Sequence, residues 1–597
     1  MSLVEDVASA PGNGLSEAPA PPRRRPLPVT RWVAIIAGLV GFVASALIPV
    51  LPVVQTTASL QWPQDGRLGN VTAPLIALAP ESLEASVPCS VFREMPASGG
   101  VVLSTAPAAG KQAMLNGLFV TAGTQRVDVI ARNVVVLSVP RSRMSDPQCQ
   151  RLALSSSTAG TFAAVEGLND PATGGPLRGG FGDPNLRPQI VGLFTDLSGP
   201  APAGLSFAAT IDTRYTSSPS PLKTAAMVAG ILGTMVALLA LWRLDRLDGR
   251  RAQRLIPTRW RTFTAVDATV IVISVVWFVA GAGSSDDGYQ FGMANTSSHA
   301  GYMANYFRWY GSPEDPFGWY YELIAAMTHV SHASLWLRLP DLVCALVCWL
   351  LLSREVLPRL GRAVVRNRAA VWTAALVFIA AWMPFNNGLR PEGQIATGAL
   401  ITYVLVERAI ATRRATPVGL AIVVAAFTLG IQPTGIIAVA VLLAGGRPIV
   451  RIIVTRAKSV GIWPVLLPLA AAGFVVLTVI FADQTLAAVR EATAVRTAIG
   501  PAQPWYTENL RYFYLFLPTT DAALSRRFGI LITIACLFAS MLLLLRRKRI
   551  PGIAVGPVWR LMGVIFATVF LLTFAPTKWI HHFGLFAAAG AAMAAVT

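Results

Sequence analysis

The sequence predicts a polytopic α-helical membrane protein with an N-terminal extracytoplasmic β-sandwich, and three observations predict it. Of 597 residues, 54% are hydrophobic and only 13% charged, with a mean hydropathy of +0.56, too apolar for a water-soluble chain of this length. Apolar runs of near-spanning length recur from residue 222 onward, and every second connection between them is rich in arginine. One long polar stretch, 55–217, instead shows the period-two alternation of strands.

Residues 1–30 are rich in Pro, Ala and Gly and carry Arg23, Arg24 and Arg25. This composition cannot bury enough apolar surface to fold alone and predicts a disordered cytoplasmic tail. Residues 31–54 form the first transmembrane helix; the apolar run 33–54 has no clear small-residue cleavage site and reads as a signal anchor. The arginines before it put the N-terminus inside. In 55–217, Arg126-Val127-Asp128-Val129 is followed by the run 134–139, with Gly, Pro, Ser and Asn breaks between short segments. The pattern predicts a sandwich of jelly-roll or carbohydrate-binding type. Cys89 and Cys149 lie in this region, where an oxidising compartment lets them form a disulfide, whereas Cys344, Cys348 and Cys536 lie in apolar runs as small hydrophobes.

Residues 218–597 make up the multi-span domain. Apolar runs fall near 222–242, 265–283, 333–353, 369–384, 394–407, 416–431, 434–446, 461–481, 527–545, 558–575 and 583–597, so with the anchor the chain has about twelve spans. Several fall short of ~20 residues and read as broken or joined at the midplane. The basic connections are Arg243, Arg246, Arg250, Arg251, Arg254, Arg259 and Arg261, then 354–368, 408–414, 447–458 and 546–549. Short connections rich in Lys and Arg stay in the cytoplasm. The net charge of +19 therefore expresses orientation and attraction to anionic head groups, about 1 kcal/mol per charge, and not nucleic-acid binding. The segments 284–332, 385–393, 482–526 and 576–582 are left on the outer face of a plasma-membrane protein, and the chemistry is expected there.

Ser284-Ser285-Asp286-Asp287-Gly288-Tyr289 sets two adjacent carboxylates where a span meets that face; a solvated helix end, a metal ligand set and a general base are all open readings. The run 304–321 is dense in aromatics beside Glu314 and Asp315, as a sugar cleft requires, although an interfacial aromatic belt has the same composition. Arg390, in Asn386-Asn387-Gly388-Leu389-Arg390-Pro391-Glu392-Gly393, and Lys578, in Pro576-Thr577-Lys578-Trp579-Ile580-His581-His582, offer a fork and a point charge suited to a phosphate. Basic residues at span ends also snorkel without touching a ligand. His581 and His582 are adjacent and lack the three- or four-residue spacing of helical metal ligands, so no metal is assigned. His299, His329 and His332 read as loop residues at an aqueous boundary.

Ser285-Asp286-Asp287-Gly288-Tyr289, the run 385–392, Asp483-Gln484-Thr485-Leu486 and Pro576-Thr577-Lys578-Trp579 together resemble the Emb arabinosyltransferases of mycobacteria. The resemblance covers almost the whole chain, and the stretches 311–321, 328–336, 432–435 and 581–584 look most like the B branch of that family. It implies a GT-C glycosyltransferase fold, inversion at the transferred sugar, decaprenylphosphoryl-arabinose as donor, the arabinan of arabinogalactan as acceptor, and inhibition by ethambutol. It further implies pairing with a paralogous arabinosyltransferase as a hetero-dimer, an acyl carrier protein as a cytoplasmic partner, and no cofactor beyond the lipid-linked donor, with a structural divalent cation left open. Carried over by motif, Asp286 is the general base, Arg390, Lys578 and His581 hold the donor phosphate, and Asp287, Tyr289, Glu314 and Trp579 position sugar. After Tyr289 the chain departs from the family pattern with 290–298, where relatives carry a more apolar start and an Arg near position 295. Relatives also continue into further spans and a second outer domain, so the chain is expected to lack a C-terminal part. Two other classes stay open: a lipid-linked sugar transporter, which needs ionisable groups at the midplane, where only Asp267 and Asp341 qualify, and a non-catalytic glycan-binding subunit.

Overall fold

The computed structural model describes residues 28–597 apart from Thr56, 73–78, Asp212, Arg214, 248–257, Tyr310, Pro501, 520–521 and Arg549. The expected tail up to residue 27 and the basic residues Arg250, Arg251, Arg254 and Arg549 lie outside the described residues. Seven described helices are long and apolar enough to cross a bilayer: Val29–Val50, Pro221–Arg246, Ser334–Leu360, Glu392–Thr412, Trp463–Ile480, Leu524–Arg547 and Val555–Leu572. Four shorter apolar helices, Ala265–Ala280, Arg368–Trp382, Thr416–Ile431 and Ile580–Ala594, occupy further expected positions. Pro433–Ala444 and Gly446–Val460 form a pair bent by 59°.

The helix starts follow from local chemistry. Ser220 accepts a hydrogen bond from the Lys223 amide with Pro221 behind it, and Thr264 and Asp267 form a reciprocal capping box, each satisfying amides that a helix start leaves open. The connection expected at 447–458 is instead the helix Gly446–Val460, with Ile449, Ile452 and Val460 buried and Arg447, Arg451 and Lys458 exposed. Its apolar stripe recurs at helical spacing, which a reading of charge alone overlooks.

The basic connections gather at one end of the bundle, where buried acids tie them together. Glu355, whose side chain is fully buried, pairs with Arg259 at 3.3 Å, Arg359 at 2.6 Å and Arg408 at 2.9 Å. Asp267 pairs with Arg354 at 2.7 Å, and Glu407 with Arg560 at 2.5 Å. Asp341 accepts from the Gly388 amide at 2.9 Å and from Gln394 at 3.2 Å. Both intramembrane aspartates are thus engaged in holding helices together, which removes the feature that a transporter reading needs.

At the opposite end stands the β domain. A six-stranded antiparallel sheet runs in the order Pro176–Phe181, Gly160–Asn169, Arg151–Ser157, Pro80–Pro88, Ser206–Ile211, Ala58–Trp62, and a four-stranded meander runs Gly100–Ser104, Leu118–Ala122, Arg126–Ala131, Val134–Pro140. Alternate residues of both sheets, Leu83, Val87, Val120, Val129, Leu154 and Phe207 among them, enter one core. The entering strand Val53–Gln55 pairs antiparallel with the leaving strand Ser217–Pro219, so the domain stands on a two-stranded stalk. Cys89 and Cys149 form the expected disulfide, closing 60 residues of this domain. Replacing both by Ser is expected to lower the domain's stability by about 2–4 kcal/mol, read as a fall in its thermal unfolding midpoint that reductant reproduces in the parent protein.

Candidate active site

Connections from 284–332, 385–393, 482–526 and 576–582 close over the end of the bundle that carries the β domain, around a cavity of about 250 Å³. Asp286, Tyr289, Arg308 and Glu314 reach it from 284–332, Arg390 from 385–393, and Thr434 from the turn ahead of Ile436–Ala444. Arg496 reaches it from the helix Leu486–Ile499, and Trp579, His581 and His582 from the segment ahead of the last helix.

The two adjacent aspartates separate at once. Asp287 turns inward, where its carboxylate accepts from the amides of Ser284 at 3.1 Å and Leu389 at 2.9 Å and so pins the connections 284–332 and 385–393 together. Gly388 has to be glycine for this, since a Cβ there would stand 2.5 Å from the Asp287 carboxylate. The Asp286 amide donates to Ser284 Oγ at 3.1 Å, and its side chain faces the cavity as an ion pair with Arg390. Arg390 forks on its other edge to Glu392, at 3.1 Å and 2.7 Å. Trp579 stacks on Tyr514 with centroids 5.9 Å apart, and His581 stacks on Trp579 at 6.3 Å. His581 Nε2 is buried and meets no hydrogen-bonding group among the described residues.

One wall of the cavity is aromatic surface mixed with charge. Arg308 lies 4.7 Å over the Tyr289 ring and donates to its hydroxyl at 3.1 Å. Burial pushes the Tyr289 phenol up, so it stays a neutral donor and acceptor. Glu314 accepts from Asn305 at 2.7 Å; burial raises its carboxyl, against the pull of Arg496, Asn305 and Arg308. Arg496 donates to the carbonyls of Glu314, at 2.6 Å, and of Asp315, holding that stretch as the cavity's edge.

Residues 218–597 match the family described as mycobacterial cell wall arabinan synthesis protein. The chain belongs to that family. Residues 54–214 match a second family description, the arabinosyltransferase concanavalin-like domain. The probable arabinosyltransferase B of Mycobacterium avium is 66% identical over 569 residues, 95% of this chain and 53% of that protein. The probable arabinosyltransferase C of Mycobacterium bovis is 46% identical over 567 residues, 94% of this chain and 52% of that protein. The cryo-EM structure of arabinosyltransferase EmbB from Mycobacterium smegmatis superposes with a TM-score of 0.84 at 62% identity, covering 95% of this chain and 53% of the other. The chain thus spans about half the length of the curated relatives it matches.

Within this family frame, the structure brings together Asp286, Arg390, His581, Tyr289, Glu314 and Trp579 of the residues expected at the site, and gives two others a different task. Asp287 is the brace between connections described above. Lys578, 2% exposed, donates from Nζ to the carbonyls of Thr573 at 2.6 Å and Ala575 at 2.9 Å, with Glu508 at 3.3 Å. It closes the C-terminal end of the helix Val555–Leu572, where unpaired carbonyls attract a cation. A Lys578→Met variant is therefore expected to unfold at lower temperature while KM for an anionic donor stays within about twofold, whereas Arg390→Met raises that KM by ~10-fold or more, the loss of a charge-assisted contact of at least 1.4 kcal/mol; steady-state kinetics in detergent compares the two.

Arg308, Arg496 and Arg511 are cations that the motifs did not single out. Their signal is position: an arginine away from the basic connections, at the other end of the bundle, needs a local reason. Glu392, His581 and His582 hold their ligating atoms within 4.8 Å of one another, closer than adjacency on a regular helix allows, because Ile580–Phe586 is a 3₁₀ turn that sets the two rings edge to face at 5.2 Å. Arg390 already engages Glu392, and Arg511 reaches His582 Nδ1 at 2.5 Å. Two guanidinium groups in that sphere repel a dication and favour an anion.

Proposed function

We propose that the protein is an inverting arabinofuranosyltransferase that takes arabinose from decaprenylphosphoryl-arabinose and extends the arabinan of arabinogalactan on the outer face of the plasma membrane. The observation that carries this reading is the convergence of Asp286, Arg390 and His581 on one cavity beside Glu314, Tyr289 and Trp579. Asp286 accepts the proton of the acceptor hydroxyl as that oxygen attacks the anomeric carbon from the face opposite phosphate; the carbon–oxygen bond to phosphate breaks, and the polyprenyl phosphate leaves with the bonding pair. Arg390 and the open Nε2 of His581 face the charge that develops on the departing phosphate, where fixed donors in a water-poor cavity act most strongly. Trp579, in ring contact with Tyr514 and His581, presents its remaining open surface to the sugar, and Glu314 and Tyr289 bind its hydroxyls.

Orientation follows from the same residues. The arginine-rich end lies in the cytoplasm and the cavity opposite it, so the donor's lipid tail remains in the membrane while its phosphate reaches the site. A hetero-dimer with a paralogous chain, and an acyl carrier protein on the basic end, fit this arrangement as partners. The test is the purified protein in lipid nanodiscs with decaprenylphosphoryl-arabinose and an arabinan oligosaccharide. An elongated oligosaccharide with inverted configuration at the new bond supports the proposal; glycan binding without turnover, or donor movement into vesicles without product, overturns it.

A further inference from the structure

Behind the main cavity, sharing Glu314 and Phe317 as a wall, is a second cavity of about 50 Å³. Its polar lining is almost entirely oxygen: the carboxyl groups of Glu314, Asp315, Glu322 and Asp483 and the carboxamide of Gln484. Gln484 is 1% exposed; its Nε2 donates to the Tyr215 carbonyl at 2.7 Å, while its Oε1 meets no donor. Among the described residues no other residue donates a hydrogen bond to the carboxylates of Asp315, Glu322 or Asp483, and none forms an ion pair at contact distance with them. Two cations stand nearby, but both are engaged with carbonyls: Lys223 Nζ donates to the Gln484 carbonyl at 2.6 Å, and Arg496 to the carbonyls of Glu314 and Asp315.

Gln484 Oε1 is a buried acceptor without a donor, and the carboxylates beside it are half-buried at Asp315 and Asp483 and exposed at Glu322; acceptors gathered without donors attract a positive occupant. A proton shared between an acid and Gln484 Oε1 would give that oxygen a donor, and among the described residues it has none. A volume of about 50 Å³ has room for an ion and a few waters, since each water needs ~10–15 Å³ by this measure.

We infer that this second cavity binds one partly hydrated hard divalent cation, Ca²⁺ or Mg²⁺, through Asp315, Glu322, Asp483 and Gln484 Oε1. All-oxygen ligation by carboxylates and a carboxamide, with no sulfur or imidazole, selects that class. The ion links the stalk of the β domain, which reaches Asp483 through Ser217 Oγ at 2.5 Å and Gln484 through Tyr215, to the stretch 314–318 that walls the main cavity.

The test needs no turnover and so stands apart from the transfer reaction. Chelator-treated full chain in detergent is titrated with CaCl₂ and with MgCl₂, binding being read by calorimetry and by the thermal midpoint. The expected result is one ion per chain with a dissociation constant of about 10⁻⁴–10⁻³ M, the range of extracellular calcium modules, and a raised midpoint. Asp483→Asn and Glu322→Gln each weaken binding by ~10-fold or more, as loss of a charged ligand requires. In chelator both variants unfold at or above the parent's midpoint, because repulsion is relieved, which separates ligand loss from misfolding. Absence of stoichiometric binding to the parent chain by either ion, or equal binding by both variants, overturns the inference.

Discussion

Asp286→Asn is expected to lower arabinosyl transfer by ~10²–10⁴-fold, the usual contribution of a positioned general base, with no rise in KM for the lipid donor. The amide fills the space of the carboxylate and keeps the backbone bond to Ser284 Oγ at 3.1 Å, so the turn stays in place. What is lost is the ability to take a proton from the acceptor. Arg390 meanwhile loses one of its two anionic partners, Asp286, and keeps Glu392, so its guanidinium is more available to phosphate. Separate determination of kcat and donor KM decides the matter: a fall in kcat at constant or lowered KM fits a base, a raised KM with constant kcat fits a binding residue, and unchanged transfer removes Asp286 from the reaction.

The second large effect falls on a residue that touches no substrate. Arg511 is fully buried and binds Glu508 at 2.6 Å, the Trp579 carbonyl at 2.8 Å, the carbonyls of Leu572 and Thr577 at 3.3 Å and 3.2 Å, and His582 Nδ1. It is the post around which 572–582 turns to present Trp579 and His581. Arg511→Leu leaves Glu508 with Lys578 alone and takes the donor from several carbonyls at once, and breaking such a pair, whose cation is fully buried, costs about 3–5 kcal/mol. Thermal unfolding in detergent is expected to show the loss directly, and any folded fraction to lose transfer as well. Arg511→Lys restores the charge but one ammonium cannot reach so many acceptors, so its midpoint falls between parent and Leu variant. A Leu variant with the parent's midpoint would show that the post bears no weight.

Much of this architecture is legible in the residues. Apolar runs mark the helices because a bilayer imposes a minimum length, and Arg126-Val127-Asp128-Val129 marks a strand because facing sides alternate. Charge asymmetry separates the two ends. The motif strings bring Asp286, Arg390 and His581 together with no structure in hand. Fine assignment within the site is less accessible. Asp286 and Asp287 are chemically alike and adjacent, and only the three-dimensional position of the Leu389 amide decides which turns inward. Lys578 reads as a phosphate ligand until the end of Val555–Leu572 is seen to leave the carbonyls of Thr573 and Ala575 for it. Arg496 comes from a connection more than a hundred residues away in sequence from Arg390, and no spacing rule links the two.

The bent pair Pro433–Ala444 and Gly446–Val460 has a consequence for how deep the protein rides. Its second arm, with an apolar stripe and the cations Arg447, Arg451 and Lys458 outward, acts as an outrigger floating at the head groups of one leaflet, while Thr434, just ahead of the first arm, lines the main cavity. The bundle between them is a strut of fixed height. In a thicker or thinner bilayer the outrigger keeps its own leaflet, and the mismatch is felt at the cavity's mouth, which rises or sinks against the opposite head-group plane.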